Sequence, residues 1–515
     1  MTSNWSNSIK IADIRREVAY ILSSLEAVEQ QFELTLQQVH PDNRARARNF
    51  LHYLALRTFD LRQIQAQLSE LGISSMAHAE GYVLHNLLRI DHLLSLVDNG
   101  QETFLEHVSN ANAPFSFQSY REKFKANSDR LFGAPSAGHN KTHIMVTLPA
   151  EAAESYPLVR EMLEAGMDVA RINTSHDGPE VWSAMIDHIR RAEAQTGNSC
   201  QIYMDLSGPK LRTDLDALVL NDPERWRKKK GRVRIYRDDQ LWVAESPEAL
   251  GKRELARSAV AVIGCSQREI FQDVRSGHRI YFDDGKIGGK IATVCPDAFC
   301  VQIDRAAIEG TNLGHEKGIN LPDTDLQMPS LTEEDYGNLP FIAQYADSVG
   351  YSFVRKPEDV ADLQKEMRRL NRPDMGIVLK IETQEAFNRF PALMLQALQS
   401  PVIGVMIARG DLAVEIGFER IAEVQEELLW LSEAAHVPDI WATQVLENQA
   451  KKGLATRSEI TDAAMASRAA CVMLNKGPYI VDAIRTLRDI LSRMQQHISR
   501  KQGSLRPLSV ASRFL

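Results

Sequence analysis

The sequence predicts an α/β protein: a (β/α)8 TIM barrel with a small β domain inserted into it and an all-helical region before it. Eight short apolar runs alternate with amphipathic helical stretches between residue 141 and about residue 500, as eight parallel β/α units would. Residues 214–318 interrupt this alternation with β-branched, turn-rich sequence. Residues 1 to about 135 repeat apolar side chains at three- and four-residue steps, which is typical of amphipathic helices.

The composition is that of a globular protein with more than one domain. The chain has 515 residues, of which 44% are hydrophobic and 25% are charged. Its net charge of −8 excludes a global field that would draw it to nucleic acid or to an anionic membrane. No apolar run reaches membrane-spanning length, and the N-terminus has no secretory signal pattern. The five cysteines form no paired framework, so we expect a protein of the reducing cytoplasm.

The helical region contains three periodic segments. They are "IADIRREVAYILSSLEAVEQQFELTLQQV", "PDNRARARNFLHYLALRTFDLRQIQAQLSEL", which opens on a proline start signal, and "GYVLHNLLRIDHLLSLV". These segments predict an antiparallel helical bundle or sheath that packs on the barrel or on a second subunit. The predicted linker to the barrel is "FGAPSAGHN" (132–140).

Eight strand candidates define the barrel. They span residues 142–149, 168–175, 200–206, 346–354, 376–382, 402–409, 439–446 and 470–475. The β-rich stretch falls between the third and fourth of them. The predicted divisions are a helical region (1–135), a first barrel part (141–213), an inserted β domain (214–318), a second barrel part (319–500) and a tail (501–515).

Polar side chains follow most of these strands at one end, which in such barrels is where the active site lies. They are Arg171, Asn173 and Ser175 on the second strand, Asp205 on the third, Ser352 on the fourth, Lys380 and Glu382 on the fifth, Arg409, Gly410 and Asp411 on the sixth, and Thr443 on the seventh. Because alternate residues of a strand share one face, we expect these side chains to converge.

Glu382 and Asp411 are hard oxygen donors on neighbouring strands. Two carboxylates, together with water and a substrate oxygen, suit Mg²⁺. Lys380 and Arg171 add positive charge nearby, which implies a doubly anionic substrate such as a phosphate beside a carboxylate. Phosphoryl transfer depends on this kind of positioning and charge neutralisation. For any single strand a structural ion pair is the simpler interpretation, and only the convergence of several strand ends favours a site.

A series of motifs in the same order resembles those of the pyruvate kinase family. "ARINTSHD" is similar to A-R-L-N-F-S-H-G, and "MDLSGPKLRT" is similar to D-T-K-G-P-E-I-R-T. "YFDDGKI", "EKGINLP" and "GLATRSEITDAAMA" resemble V-D-D-G-x-I, K-K-G-V-N-L-P and P-T-R-A-E-x-x-D-V-A-N-A. "SFVRKPEDV", "LKIETQEA", "MIARGDLAVEI" and "ATQVLEN" match further strand motifs. The resemblance runs from about residue 142 to 500 and implies that the inserted domain is a small β-barrel lid.

The resemblance implies a phosphotransferase that converts phosphoenolpyruvate and ADP into pyruvate and ATP, the last step of glycolysis, with Mg²⁺ or Mn²⁺. It implies that Lys380 stabilises the transferring phosphoryl group and that Glu382 and Asp411 bind the metal. The implied substrate contacts are Arg171, Gly410, Asp411, Thr443 and Ser352, with Arg171 on the phosphate and Thr443 near the enolate. The implied nucleotide contacts are Arg212, Lys317 and His176.

A monovalent-cation site is implied as well. Asn173, Ser175, Asp205 and the Leu206 carbonyl resemble its ligands. Lys210 stands where many members of the family carry a glutamate. Since an ammonium group has a charge and size comparable to K⁺, a tethered Lys210 would replace the ion, and we expect no K⁺ requirement.

The sequence also departs from the family pattern. "TLPA" (147–150) lacks a family glycine, Ser207 replaces a lysine, and "MLNKGPYIVDA" lacks the S-G-E-T-A-x-G loop after the eighth strand, near the nucleotide. We expect no C-terminal regulatory domain, and the helical region has no counterpart in the family pattern. The nucleotide preference, the effector and the oligomeric state stay open, with a homo-oligomer expected.

Two other functions compete with the kinase. One is a metal-dependent lyase acting on phosphoenolpyruvate or pyruvate, although a lyase needs no lid over a nucleotide. The other is a non-catalytic sensor or scaffold acting through the helical region. Lys380, Glu382 and Asp411 argue against a sensor, since an inactive site has no need of three costly buried charges.

Overall fold

The structure is a computed structural model that describes residues 11–73, 75–99, 113–134, 142–227, 231–497 and 509–515. Most of the predicted linker (132–140), the three consecutive lysines 228–230 and residues 501–508 of the tail lie outside the described residues. Among the residues that the structure describes, no helix combines the length and the apolar character needed to cross a membrane.

Eighteen strands are described, and eight of them close a parallel barrel in the order β1-β18-β17-β16-β15-β14-β3-β2. All eight lie where the sequence predicts strands, so the predicted fold class is confirmed. The strands are β1 His143–Thr147, β2 Val169–Asn173, β3 Gln201–Asp205, β4 Thr213–Leu220, β5 Trp226–Arg227, β6 Arg232–Ile235, β7 Gln240–Ala244, β8 Ala261–Cys265, β9 Arg279–Phe282, β10 Ile287–Cys295, β11 Ala298–Arg305, β12 Thr311–Gly314, β13 Ile319–Asn320, β14 Ser348–Tyr351, β15 Gly376–Ile381, β16 Ile403–Ala408, β17 Asp439–Ala442 and β18 Cys471–Leu474.

Helices precede the barrel and separate its strands. Those before it are Ile11–Gln31, Glu33–Gln38, Arg44–Leu56, Arg62–Glu70, Val83–Asn99 and Phe117–Phe132. Those between or after the strands are Tyr156–Ala165, Pro179–Thr196, Pro247–Gly251, Ile270–Asp273, Glu333–Tyr345, Pro357–Arg369, Gln384–Asn388, Phe390–Ala397, Arg409–Ile416, Ile421–Ala434, Glu447–Lys452, Arg457–Ala466, Ile480–His497 and Ser509–Phe514.

The barrel strands are apolar almost throughout because helices cover their outer faces and the barrel core covers their inner faces. Every residue of β15 and of β16 is buried. A parallel sheet covered on both faces has this continuous rather than alternating pattern. The pairing is in register, with Leu379 beside Val405 and Asp205 beside Asn173 and Gly350. Polar residues within or just after these strands are therefore costly to bury unless a partner compensates them.

The insertion, defined here as strands β4 to β13, follows β3 as the sequence predicts. Its described strands pair as a seven-stranded sheet and a three-stranded sheet, and only the eight parallel strands close into a ring in the described part of the chain. The insertion has its own apolar core, which includes Val243, Phe282 and Phe299. It is therefore a separate, mainly β unit with two short helices, joined to the barrel by two connections.

The helical region packs directly on the barrel, as one of the two predicted alternatives stated. Its buried side chains and those of the barrel helices belong to one apolar core. Leu131, at the end of the Phe117–Phe132 helix, lies against the beginnings of β15 and β16. A Cβ atom at Gly376 or Gly404 would come within 2.9 Å or 2.5 Å of the Leu131 side chain. The region therefore closes the amino-terminal end of the barrel, opposite the predicted site.

His436 is the polar centre of this interface. Its imidazole is fully buried, and its Nε2–H donates to the Gly81 carbonyl at 2.8 Å. Its own carbonyl accepts from Arg46 and from Asn127, while the Phe115 ring lies 4.2 Å away, centroid to centroid. Burial lowers the pKa of His436 to about 3, with the Arg46 charge adding to this shift. Nδ1 has no hydrogen-bond partner among the described residues, so a second proton there would be a buried, unpaired charge.

We expect the free energy of unfolding to fall as the pH drops below about 6.5. The unfolded chain then protonates His436 while the folded chain does not, so stability is lost by up to about 1.4 kcal/mol per pH unit until the folded pKa is approached. Urea unfolding of the wild type and of His436→Asn at pH 8, 6 and 5 measures the effect. Asn is the control because it tolerates the left-handed backbone of this position (φ 49°) and does not titrate. A stability gap between the two proteins that stays constant with pH would contradict the prediction.

Candidate active site

The carboxyl ends of β2, β3 and β15 bring Arg171, Asp205 and Lys380 together, with the Asp205 carboxylate between the two cations. This carboxylate is 0% exposed, and Arg171 donates to its Oδ2 from Nε (2.6 Å) and from Nη2 (2.5 Å). The Tyr203 hydroxyl donates to Oδ1 at 2.5 Å, and Lys380 Nζ lies 3.5 Å from Oδ2. Burial would raise the pKa of Asp205, but Arg171 and Lys380 outweigh it and lower that pKa. Asp205 is therefore held as an anion between two cations.

The site needs glycine on the neighbouring strand. Gly350 of β14 pairs with Asp205. A Cβ atom at this position would lie 1.9 Å from the Tyr203 hydroxyl oxygen and 2.0 Å from Asp205 Oδ1. Only a residue without a side chain leaves room for that buried hydrogen bond. The sequence does not predict this requirement for glycine, because Gly350 is one of several glycines in strand-like runs.

Lys380 is a buried ammonium with three polar neighbours. Its Nζ donates to Ser352 Oγ at 2.7 Å and lies 3.1 Å from Glu382 Oε1, in addition to its contact with Asp205. Ser352 Oγ in turn donates to the Leu206 carbonyl at 2.6 Å. Burial would lower the pKa of Lys380, but Asp205 and Glu382 outweigh it and raise that pKa. The lysine is therefore fixed in place and kept charged.

Glu382 and Asp411, the expected metal ligands, lie close enough to influence each other. Burial raises the pKa of Glu382, and the Asp411 charge raises it further while Lys380 opposes it. Glu382 Oε2 accepts from the Phe353 N–H at 2.7 Å, and this hydrogen bond fixes the orientation of the carboxylate. Two mutually repelling carboxylates are the donor set that a hard divalent cation such as Mg²⁺ binds, so these residues fit that ion.

Lys210 contacts one of the two expected divalent-metal ligands. Its ammonium forms an ion pair with Asp411, 3.0 Å from Oδ1 and 3.1 Å from Oδ2, and lies 5.8 Å from the centroid of the Phe353 ring. The charge of Lys210 also acts on Glu382. The structure therefore places this lysine against an expected divalent-metal ligand, and its role in place of K⁺ stays a prediction. Asp205 has two cations beside it, whereas Lys210 is the cation paired with Asp411 among the described residues.

The expected ligands of the monovalent cation make internal contacts. The Asn173 side chain accepts from the Ser175 N–H at 3.2 Å, and Ser175 follows the end of β2 in a turn. The Leu206 carbonyl accepts from Ser352, and both oxygens of Asp205 accept from Tyr203 or Arg171. Asn173 and Asp205 pair across the adjoining ends of β2 and β3, and the oxygens of Asn173, Asp205 and Leu206 already accept hydrogen bonds within the chain.

Thr443 and Gly410 lie together at the ends of β17 and β16. A Cβ atom at Gly410 would be 3.5 Å from the Thr443 hydroxyl oxygen. Thr443 has a left-handed backbone (φ 65°), which is rare for a β-branched residue and typical of functional positions. Its buried hydroxyl has no hydrogen-bond partner within the described part of the chain. This strained threonine therefore presents an unsatisfied hydroxyl beside a residue without a side chain.

Arg409 is not part of the charged cluster. Its guanidinium pairs with both oxygens of Asp462 (2.5 and 2.8 Å) and donates to the Ala442 and Thr443 carbonyls. The positive charge at the end of β16 is therefore structural, and it holds the Thr443 turn in place.

The expected nucleotide contacts lie on the connections of the insertion and on the segment after β2. Arg212 and Lys317 belong to the two connections of the insertion, where Arg212 donates to the Glu316 carbonyl at 3.2 Å and Lys317 lies 3.4 Å from Asp283. Partial burial lowers the pKa of His176, and the charges of Lys476, Arg212 and Arg171 add to this shift. Lys476, on the short segment after β18, is a basic neighbour that the sequence analysis missed. Its position directly after the eighth strand could have identified it as a candidate site residue.

A separate group in the insertion has ligand-like spacing. The side-chain donors of Asp214, Asp216 and His315 lie within 4.8 Å of one another. His315 Nδ1, however, accepts from the Leu215 N–H at 3.1 Å, so that nitrogen is not free to bind a cation. This group is distinct from Glu382 and Asp411.

Comparisons with known proteins point to one family. Residues 139–484 match the family model described as "Pyruvate kinase, barrel domain". Pyruvate kinase of Bacillus licheniformis is 31% identical over 369 residues, which cover 70% of this chain and 58% of that protein. Pyruvate kinase PKLR of Rattus norvegicus is 31% identical over 356 residues, with coverage of 67% and 58%. The chain thus spans less than two thirds of the length of these relatives.

We expect Gly350→Ala to lower the free energy of unfolding by about 1–3 kcal/mol, because the added methyl group overpacks the Tyr203–Asp205 contact. Urea unfolding followed by circular dichroism measures this. Gly337→Ala is the matched control, since a Cβ atom at this helical glycine would meet nothing within 4 Å. If Gly350→Ala and the wild type unfold at the same urea concentration, position 350 does not require glycine and the inferred overpacking is wrong.

Proposed function

The chain belongs to the pyruvate kinase family, and from this premise we propose that it transfers the phosphoryl group of phosphoenolpyruvate to ADP, forming pyruvate and ATP. The observation that carries the proposal is the buried, charged Lys380 between Asp205, Glu382 and Ser352. A cation held this rigidly is preorganised for charge that develops during phosphoryl transfer. The expectations of a cytoplasmic location and of a homo-oligomer stay predictions.

Binding and orientation of the substrates would fall to groups at the strand ends. Arg171 is fixed by Asp205 and by Thr147, whose Oγ1 accepts from Nη1 at 2.8 Å, and we assign its remaining N–H groups to the substrate phosphate. Arg212, Lys317 and His176 would face the phosphates of ADP. Mg²⁺ or Mn²⁺ on Glu382 and Asp411 would supply a Lewis acid that neutralises phosphate charge.

The proposed reaction has two steps. The bond between phosphorus and the enol oxygen breaks as a bond forms from phosphorus to a terminal phosphate oxygen of ADP, and the electron pair stays on the enolate. Lys380 stabilises the negative charge of the migrating group. The enolate carbon then takes a proton, which gives pyruvate. We assign the unsatisfied Thr443 hydroxyl to the side from which that proton arrives.

We propose in addition that activity does not require K⁺. Asp205 supports this, because Arg171 and Lys380 already neutralise the carboxylate to which a monovalent cation would bind.

We expect Lys380→Met to lower the turnover number by about 10²–10³, because the lost charge acts mainly in the transition state. The assay supplies phosphoenolpyruvate, ADP and Mg²⁺ and measures pyruvate, with Lys286→Met, an exposed lysine of the insertion, as control. Near-normal turnover of Lys380→Met would exclude the assigned role. Pyruvate formed equally fast without ADP would indicate a lyase or a phosphatase instead of the kinase.

We expect the wild type to work without added K⁺. Initial rates in tetramethylammonium buffer with Mg²⁺, with and without KCl, should agree within about twofold, since fixed cations already neutralise Asp205. A matched NaCl series controls for ionic strength. A wild-type enzyme that stays silent until K⁺ is added would contradict the prediction.

A further inference from the structure

The insertion joins the barrel through two connections that run side by side. The Ile319 N–H donates to the Leu211 carbonyl at 2.9 Å, and the Thr213 N–H donates to the Lys317 carbonyl at 2.8 Å. Arg212 and Gly318 form an antiparallel bridge between them. We call residues 208–213 and 317–321 the hinge ribbon. Because its two halves are bonded together, a movement of the insertion must shift both.

The hinge ribbon is attached to one helix, Arg409–Ile416, at two side chains. Lys210 of the outgoing half pairs with Asp411, and the Asn320 amide of the returning half donates to Glu415 Oε1 at 3.1 Å. Asp411 and Glu415 are four residues apart, so they lie on the same helix face. One helix therefore carries both an expected metal ligand and the residue that holds the insertion.

The two attachments differ in their surroundings. Glu415 and Asn320 are 5% and 7% exposed, whereas the side chains of Lys210 and Asp411 are 27% and 18% exposed. Burial raises the pKa of Glu415 to about 7, and the Gln384 backbone N–H also bonds to its carboxyl group. Gln384 begins the helix just after Glu382, so Glu415 ties the hinge ribbon to the end of β15. Among these contacts the Asn320–Glu415 bond is the buried one.

A small cavity adjoins this bond. It has a volume of about 50 Å³ and is lined by Leu211, Ile319 and Asn320 of the hinge ribbon and by Phe353 and Glu415 of the barrel. Such a volume holds a few water molecules at most. The hinge ribbon therefore has room for a small shift beside its anchor without breaking the packing of the barrel.

We propose that the Asn320–Glu415 bond holds the hinge ribbon so that Lys210 lies on Asp411 and competes with the divalent cation for this carboxylate. The competition rests on the proposed function, in which Asp411 binds the metal. Lys210 contacts both oxygens of Asp411 and repels a second cation there, so its ammonium group opposes the binding of a divalent cation. Metal binding is therefore favoured when Lys210 moves away, and this movement is resisted by the anchor one helical turn away.

The test uses the full chain and Mn²⁺ alone. Asn320→Ala removes the anchor, Glu415→Gln keeps an oxygen that accepts from Asn320, and Lys210→Met removes the competing charge. Asn221→Ala is the matched control, because the side-chain amide of Asn221 donates to the Ala256 and Ala259 carbonyls within the insertion. Hydrogen exchange of peptides that contain Thr213 and Ile319 reports on the ribbon, and calorimetric titration reports on Mn²⁺ affinity.

We expect Asn320→Ala to exchange these amides about tenfold faster and to bind Mn²⁺ about three- to tenfold more tightly, since one buried hydrogen bond is lost. Lys210→Met should also bind Mn²⁺ more tightly, without faster exchange. Glu415→Gln and Asn221→Ala should stay within about twofold of the wild type in both measurements.

Three results would overturn the inference. If the amides of the hinge ribbon exchange at the same rate in Asn320→Ala and in Asn221→Ala, the Asn320–Glu415 bond is not an anchor. Faster exchange in Asn320→Ala with unchanged or weaker Mn²⁺ binding would show that the anchor does not affect the metal. Weaker Mn²⁺ binding by Lys210→Met would show that Lys210 does not compete with the metal. A wild type that binds no Mn²⁺ would show that the proposed metal site fails, and the competition with it, while the exchange data still decide the anchor.

Discussion

The carboxyl end of the barrel depends on keeping a fully buried Asp205 carboxylate charged. An isolated carboxylate in this place would lose several kcal/mol of hydration, and its pKa would rise. Arg171 and Lys380 reverse that shift, and Tyr203 satisfies the remaining oxygen. Removing one member would leave the others as uncompensated buried charges. The cluster is therefore one cooperative unit, and the position of Lys380 follows from charge balance as much as from packing.

The barrel can hold such a unit because its strands are fixed at both ends. Leu131 of the helical region fills the space beside Gly376 and Gly404, where β15 and β16 begin. Lys380 and Glu382 follow along the first of these strands, and Asp411 follows the end of the second. Tight packing at one end limits the freedom of the charged side chains at the other. The helical region thus belongs to the same folded unit as the site, since both share one apolar core.

The sequence predicted the eight strands because each is a continuous apolar run, and it predicted Lys380, Glu382 and Asp205 because charge at the end of such a run is unusual. It could not separate Arg409 from them. Arg409 has the same local pattern, yet Asp462, which lies far along the chain, pairs with it. The contact between Lys210 and Asp411 was not predicted for a similar reason, because these two residues lie 201 positions apart in the chain. Strand ends are local features, whereas the choice of ion-pair partner is set by tertiary structure.

The Arg409–Ile416 helix likewise has partners that are distant in the sequence, and they contact it from three directions. Its first residue is committed to Asp462 and the Thr443 turn, its third residue meets Lys210, and its seventh meets Asn320. A short helix cannot satisfy these partners independently, because its backbone fixes their relative positions. A displacement of the insertion would therefore shift Asp411 and, through Arg409, Thr443. Two strand ends and the insertion therefore meet on one short helix, whose backbone links their positions.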